Sequence, residues 1–262
     1  MMRLVPYNKG SMNVLVNGQL IHYSDEGDGR VIVLLHGWGA NMATFNELNT
    51  HLLKKYRVIL LDFPGFGTSP KPKDVWSVSD YGQLVSRFLD KIEVVSVYAM
   101  IGHSFGGRVI IKGIADNNLH PQKVVLLDAA GVKPPKATRQ LIYKSIAKLG
   151  KAATALPIFK AIRPMLRKKL YNAAGSTDYL NANEMQLIFL NTINEDFLPF
   201  IHLMTQPTLL IWGKNDKETP VSDAEKMMQE LPKGRLVVID NAGHFVYVDA
   251  FKQCIKELDV FL

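Results

Sequence analysis

Short continuous apolar runs alternate along the chain with longer stretches in which apolar residues recur every three or four positions. The runs span residues 31–35, 58–61, 94–101, 124–127, 209–212 and 236–239 and are rich in Val, Ile and Leu. An unbroken apolar run suits a strand buried on both faces, as in a parallel sheet. The stretches 44–55, 79–92, 105–117, 222–231 and 246–262 carry the helical period. The alternation predicts an α/β fold with a mostly parallel, doubly wound sheet. Ahead of it, residues 12–16 and 20–23 flank Asn17-Gly18, a dipeptide that tolerates the positive φ of a tight turn, and predict an N-terminal antiparallel hairpin.

The alternation breaks once. About eighty residues separate the strand ending near Asp128 from the one starting near Thr208, and none of them reads as a good strand. Their period is helical, interrupted by Pro134, Pro135, Pro157 and Pro164, with Ile142, Ile146 and Leu149 on one face and Lys144, Lys148 and Lys151 on another. The expected division is a core of residues 1–130 and 206–262, with a helical insertion, 131–205, seated on the sheet.

Composition narrows the class. The 262 residues are 47% hydrophobic and 21% charged, which excludes a disordered chain, a collagen-like repeat or a disulfide scaffold. Cys254 is the single cysteine, so neither an internal disulfide nor a cysteine zinc site is available. No apolar run approaches the roughly 18 residues of a membrane span. Residues 1–8 lack the apolar stretch of a secretory signal. The expectation is a soluble cytoplasmic protein.

Charge changes the picture more. Lys and Arg number 31 against 24 Asp and Glu, a net +7. Residues 131–172 hold eleven of the cations and no acid: Lys133, Lys136, Arg139, Lys144, Lys148, Lys151, Lys160, Arg163, Arg167, Lys168 and Lys169. The rest of the chain is mildly acidic, with 20 basic and 24 acidic residues. A basic insertion fits attraction of an anionic substrate, docking of an acidic acyl carrier or coenzyme-A thioester, contact with an anionic lipid surface, or a solvated face that aids solubility. No recognised module or aromatic-interleaved basic strip points to nucleic acid.

The candidate chemistry centres on Gly102-His103-Ser104-Phe105-Gly106, which joins a predicted strand to a predicted helix. A serine on such a turn presents its hydroxyl above the sheet edge, beside free backbone N–H groups at a helix start. It needs a base and an orienting acid. His244, after the last strand, is the candidate base. Asp216, after the strand before it, is the candidate acid. Asp128, at the end of the strand preceding the insertion, is a rival acid whose alternative role is capping a loop. Loops that follow parallel strands all emerge at one edge, so all four residues are expected together. The oxyanion donors are expected to be the backbone N–H groups of Phe105 and of Trp38, in His36-Gly37-Trp38-Gly39. Trp38, Met165, Met185 and Leu187 are candidate substrate-binding residues. The same apolar side chains also read as core packing. His22, His51, His120 and His202 are isolated and lack metal-ligand spacing.

These motifs, with Asp62-Phe63-Pro64-Gly65-Phe66-Gly67-Thr68-Ser69 and Gly243-His244, stand in an order that resembles the α/β-hydrolase superfamily from about residue 13 to residue 262. The resemblance implies a serine hydrolase with no metal or organic cofactor, favours Asp216 over Asp128, and makes the insertion a cap or lid. It also implies structural roles for His36 and His103. Ser104 at the elbow argues against the relatives that use a carboxylate nucleophile. Three activities remain open on this reading. They are a carboxylesterase on small or medium acyl esters, a carbon–carbon bond hydrolase of ring-fission products, and a non-catalytic ligand receptor. The esterase is the leading expectation, with acyl-carrier or coenzyme-A-linked ester or thioester substrates as a variant of it.

Overall fold

A computed structural model of the protein describes residues 10–133 and 185–262. Its strands are β1 (Ser11–Val16), β2 (Gln19–Glu26), β3 (Val31–Leu35), β4 (Arg57–Leu61), β5 (Ala99–His103), β6 (Lys123–Leu127), β7 (Thr208–Gly213) and β8 (Gly234–Ile239). They form one sheet in the order β1-β2-β4-β3-β5-β6-β7-β8. The β1–β2 hairpin turns on Asn17 and Gly18, both at positive φ, and β2 pairs antiparallel with β4. Every pairing from β4 through β3 to β8 is parallel. The described helices are α1 (Asn46–Leu52), α2 (Val78–Lys91), α3 (Phe105–Ala115), α4 (Gln186–Asn194), α5 (Val221–Glu230), α6 (Val246–Asp249) and α7 (Phe251–Phe261).

Strand periodicity divides the core in two. Val33, Leu35, Ile59 and Leu61 face the α2, α3 and α5 side, where they join Tyr81, Phe88, Val109, Ile110 and Met227. Their neighbours Ile32, Leu34, Val58 and Leu60 face the other side and meet Leu48, Tyr247, Cys254 and Leu258 from α1, α6 and α7. Successive strand residues point to opposite faces, so two packed faces demand the unbroken apolar runs seen in the sequence.

Sheet order also places the site. β3 is flanked by β4 on one side and β5 on the other, so successive connections leave it in opposite directions and open a crevice at the strands' carboxyl ends. Register keeps those ends level: Leu35 lies opposite Gly102, His103 opposite Leu127, Leu127 opposite Ile211 and Gly213 opposite Ile239.

Three elements differ from the sequence pattern. The run 94–101 becomes a strand only from Ala99. Glu93 turns left-handed at φ 59 and the Val94 N–H returns to the Leu89 carbonyl, wrapping up the end of α2. Val95 is consequently fully exposed, although it lies within an apolar run. The stretch 246–262 splits into α6 and α7 at Ala250, whose φ of −130° and ψ of 45° leave the helical region. The stretch 44–55 is a short 3₁₀ turn, Met42–Phe45, followed by α1.

The expected insertion is described at its first three residues and from residue 185 to its end. There, α4 and a 3₁₀ segment (Leu198–Leu203) are helical, in keeping with the sequence pattern. The four prolines, the Ile142 face and ten of the eleven cations lie outside the described residues, as does Met165. Among the described residues, no helix is long and apolar enough to cross a membrane.

Candidate active site

Ser104 separates β5 from α3 with φ 48° and ψ −110°, a conformation disfavoured for a residue with a Cβ. The surrounding backbone holds it there. Its N–H donates to the Leu127 carbonyl at 3.1 Å, and its carbonyl accepts from the N–H groups of Arg108 and Ala130 at 3.2 and 3.0 Å. Gly106 permits the turn for a different reason: any Cβ there would collide with the Leu35 carbonyl. The glycine therefore lets α3 start against β3.

Asp216 and His244 meet as the chain order predicts. His244 Nδ1 lies 2.8 Å from Asp216 Oδ2. The other carboxylate oxygen accepts the backbone N–H groups of Glu218 at 2.8 Å and Thr219 at 3.0 Å. The Thr219 hydroxyl lies 2.6 Å from Oδ2 and 3.1 Å from the Asp128 carbonyl. Burial opposes ionisation of Asp216, but the hydrogen bonds with His244 and Thr219 outweigh it and hold the carboxyl below its usual range. Burial likewise opposes charge on His244. The hydrogen bond to Asp216 and the charges of Glu218, Asp216 and Asp128 prevail, so its pKa is raised. His244 Nε2 lies 3.3 Å from Glu218 Oε2. Gly213 makes the approach of the two loops possible, because a Cβ there would strike the Gly243 carbonyl.

Asp128 lies at the same edge without contacting the imidazole. Its two oxygens accept the N–H groups of Gly213 and Val246, each at 2.8 Å, which ties β6 to β7 and to the start of α6. This is loop capping. Burial raises its pKa to about 7 against the pull of those two bonds.

Two histidines frame the site through backbone contacts. His36 donates from Nδ1 to the Gly37 carbonyl at 2.7 Å and accepts the Phe63 N–H at Nε2, so both ring nitrogens are committed to loop structure. His103 donates from Nε2 to the His244 carbonyl at 2.7 Å. Burial, then repulsion from His244, drives its pKa down to about 3. Asp62 accepts the Met42 and Thr68 N–H groups at 2.9 Å each and so shapes its loop.

The residues that carry the candidate oxyanion donors are in side-chain contact. The Trp38 and Phe105 rings meet edge to face at 5.2 Å, and neither backbone N–H donates to an acceptor among the described residues. Trp38 also packs on Phe66 and, from α4, Phe189. Met185 is buried in the same cluster, whereas Leu187 is 61% exposed.

Sequence reasoning missed Arg108, Thr219 and Glu218. Arg108 lies one turn beyond Ser104, nearly fully buried, with Nη1 donating to the Thr192 and Glu195 carbonyls at 2.6 and 2.9 Å. It thereby pins the carboxyl end of α4 to the helix that carries Ser104. The available signal was a lone cation within the apolar face around Val109, Ile110 and Ile111. Thr219 and Glu218 had only their proximity to Asp216.

Comparison with known proteins shows the family of the chain. The model of a family described as the alpha/beta hydrolase family matches residues 32–257. A 2-hydroxy-6-oxononadienedioate/2-hydroxy-6-oxononatrienedioate hydrolase of Cupriavidus pinatubonensis is 26% identical over 86% of this chain and 84% of its own. The pimeloyl-[acyl-carrier protein] methyl ester esterase of Nitrosomonas europaea is 23% identical over 91% and 98%. The crystal structure of a bacterial membrane phospholipase A superimposes with a TM-score of 0.75 at 24% identity, covering 96% of this chain and 84% of that one. The chain is an enzyme of the alpha/beta hydrolase family.

Proposed function

We propose that the protein hydrolyses a carbon–carbon bond beside a ketone in a carboxylate-bearing, ring-fission-type dienoate. The observation that carries this reading is the likeness, across most of both chains, to the Cupriavidus hydrolase. The compound in that enzyme's name has a ketone and two carboxylates but no ester, so its hydrolysis must break a carbon–carbon bond. The eleven cations of residues 131–172 suit such a dianion. Ester hydrolysis by the same residues is the second reading, favoured by the likeness to the acyl-carrier methyl ester esterase.

On this proposal Ser104 Oγ attacks the ketone carbon and its proton passes to His244 Nε2. Asp216 holds the imidazole by Nδ1–H and stabilises its cation. The oxyanion receives the N–H groups of Trp38 and Phe105. As the carbonyl re-forms, the carbon–carbon bond breaks. Its electron pair is delocalised into the departing dienoate, which takes the proton from His244. Water then attacks the acyl-serine, giving its proton to His244, and the carboxylic acid and Ser104 are released. With an ester, the alkoxide leaves in place of the dienoate carbon.

The test offers the purified protein a vinylogous ring-fission dienoate beside nitrophenyl esters of graded length, with Ser104→Ala as the blank. The dienoate should show the higher kcat/KM, and that value should fall as salt rises from 0.05 to about 0.5 M while a neutral ester is little affected. Ester turnover alone would move the assignment to the second reading. Undiminished turnover by Ser104→Ala would overturn both.

A further inference from the structure

The steps proposed above leave Glu218 without a role, yet its carboxylate faces the atom on which they depend. Glu218 Oε2 lies 3.3 Å from His244 Nε2, the ring nitrogen that must take the Ser104 proton. Its backbone is fixed by the N–H bond to Asp216 Oδ1, while its side chain is 44% exposed. A carboxylate only accepts, so it can pair with Nε2 only when that atom carries hydrogen. Nδ1–H is already given to Asp216. The Glu218 approach is an ion-pair distance rather than a hydrogen bond, and together with the bond to Asp216 it favours the protonated ring.

We propose that Glu218 is a positioning residue whose charge beside Nε2 favours the protonated form of His244, and that Nε2 becomes available to Ser104 when the ring loses that proton or substrate displaces the side chain. This rests on the reading of His244 as the base for Ser104. Other charged and titratable groups also face the ring or its loop. Asp216 comes from the β7–α5 loop with Glu218, and Asp128 from the end of β6. His103 comes from β5 and Asp249 from α6, where it accepts the Gly243 N–H. Among the described residues, Glu218 is the one whose carboxylate approaches Nε2, and its side chain is exposed. It is the group that makes the ring's protonation compete with serine activation.

The test compares wild type with Glu218→Gln by two readouts. In carbon-13 histidine NMR, with the His244 signal assigned by its loss in His244→Asn, the His244 titration midpoint should fall by about half to one pH unit in Glu218→Gln. That is the size expected for one contact charge in a largely aqueous setting. The acid limb of the kcat/KM profile should move down in pH by the same amount, and Glu218→Asp should lie between the two. An unchanged midpoint would overturn the proposal. So would a lowered midpoint with an unmoved acid limb, because the contact would then not compete with catalysis. If Ser104→Ala retained full turnover, the hydrolase reading would fail, while the NMR arm would still decide whether Glu218 holds the ring.

Discussion

Thr219→Val removes a single hydroxyl from beneath the candidate acid and keeps the side chain's shape. The hydroxyl lies 2.6 Å from Asp216 Oδ2, and both residues are buried. Valine opens no cavity, so the loss is the hydrogen bond itself. A bond to a charged acceptor contributes about 1.5–3 kcal/mol, so the variant should lose about 2 kcal/mol of stability. For a chain of this size that corresponds to a fall of about 4–8 °C in Tm. The pH dependence follows from the lowered pKa of folded Asp216. A carboxyl depressed on folding contributes stability above its unfolded pKa and loses it as pH falls through the folded one. The gap between variant and wild type should therefore be full at pH 7 and shrink below about pH 4. Loosening the carboxylate also loosens the imidazole, and kcat should drop about tenfold, near the cost of one such bond in positioning. Thr219→Ser keeps the hydroxyl and loses one methyl, a cost of roughly 0.8 kcal/mol. Thermal unfolding at pH 7.5 and 3.5, with turnover at pH 7.5, checks the set. If Thr219→Val melted with wild type, or Thr219→Ser fell as far as Thr219→Val, the hydroxyl would not be what holds Asp216.

Arg108→Ala should leave the Thr192 and Glu195 carbonyls without their donor and cost about 2–4 kcal/mol, read as a lowered urea midpoint. Wild-type stability would show that the carbonyls find other partners. Gly106→Ala drives a methyl into the Leu35 carbonyl, between two elements that cannot easily separate, and should cost about 3 kcal/mol or prevent soluble expression. An unaltered Tm would contradict the close approach of α3 to β3. His103, with a folded pKa near 3 against an ordinary 6.5, resists protonation that the unfolded chain accepts. Stability should therefore fall as pH drops from about 6.5 toward 3, by about 2–3 kcal/mol between pH 7 and 4.5. His103→Gln can still donate to the His244 carbonyl and should flatten that slope in urea titrations. An equally steep slope in the variant would place the acid sensitivity elsewhere.

The fold was legible because two-sided burial leaves a coarse trace. A strand such as Val31–Leu35 has every residue buried, so its run has no polar interruption. Val95 shows the limit of that trace, since an apolar residue in an apolar run was assigned to a strand that the helix C-terminus pre-empts. The placement of Ser104, Asp216 and His244 at one edge was legible for a topological reason: parallel strands deliver their following loops to one edge, and each residue stands just beyond a strand. Separating Asp216 from Asp128 required contacts. Both carboxylates sit at that edge, and only the hydrogen-bond partners distinguish an acid that takes an imidazole from one that takes the Gly213 and Val246 N–H groups. Glu218 and Arg108 were hidden for the same reason. One looks like an ordinary surface acid and the other like a stray cation, until the loop turn aims the first at Nε2 and α4 places two carbonyls over the second. Charge divides along the same line. Nearest the chemistry, two carboxylates touch one imidazole and the charge of a third, Asp128, also acts on it, while the cationic excess lies in residues 131–172. A dianionic substrate would meet attraction from that segment and repulsion from Glu218. Displacing Glu218 from Nε2 would then be a consequence of binding, and catalytic readiness would follow from the charge of the substrate itself.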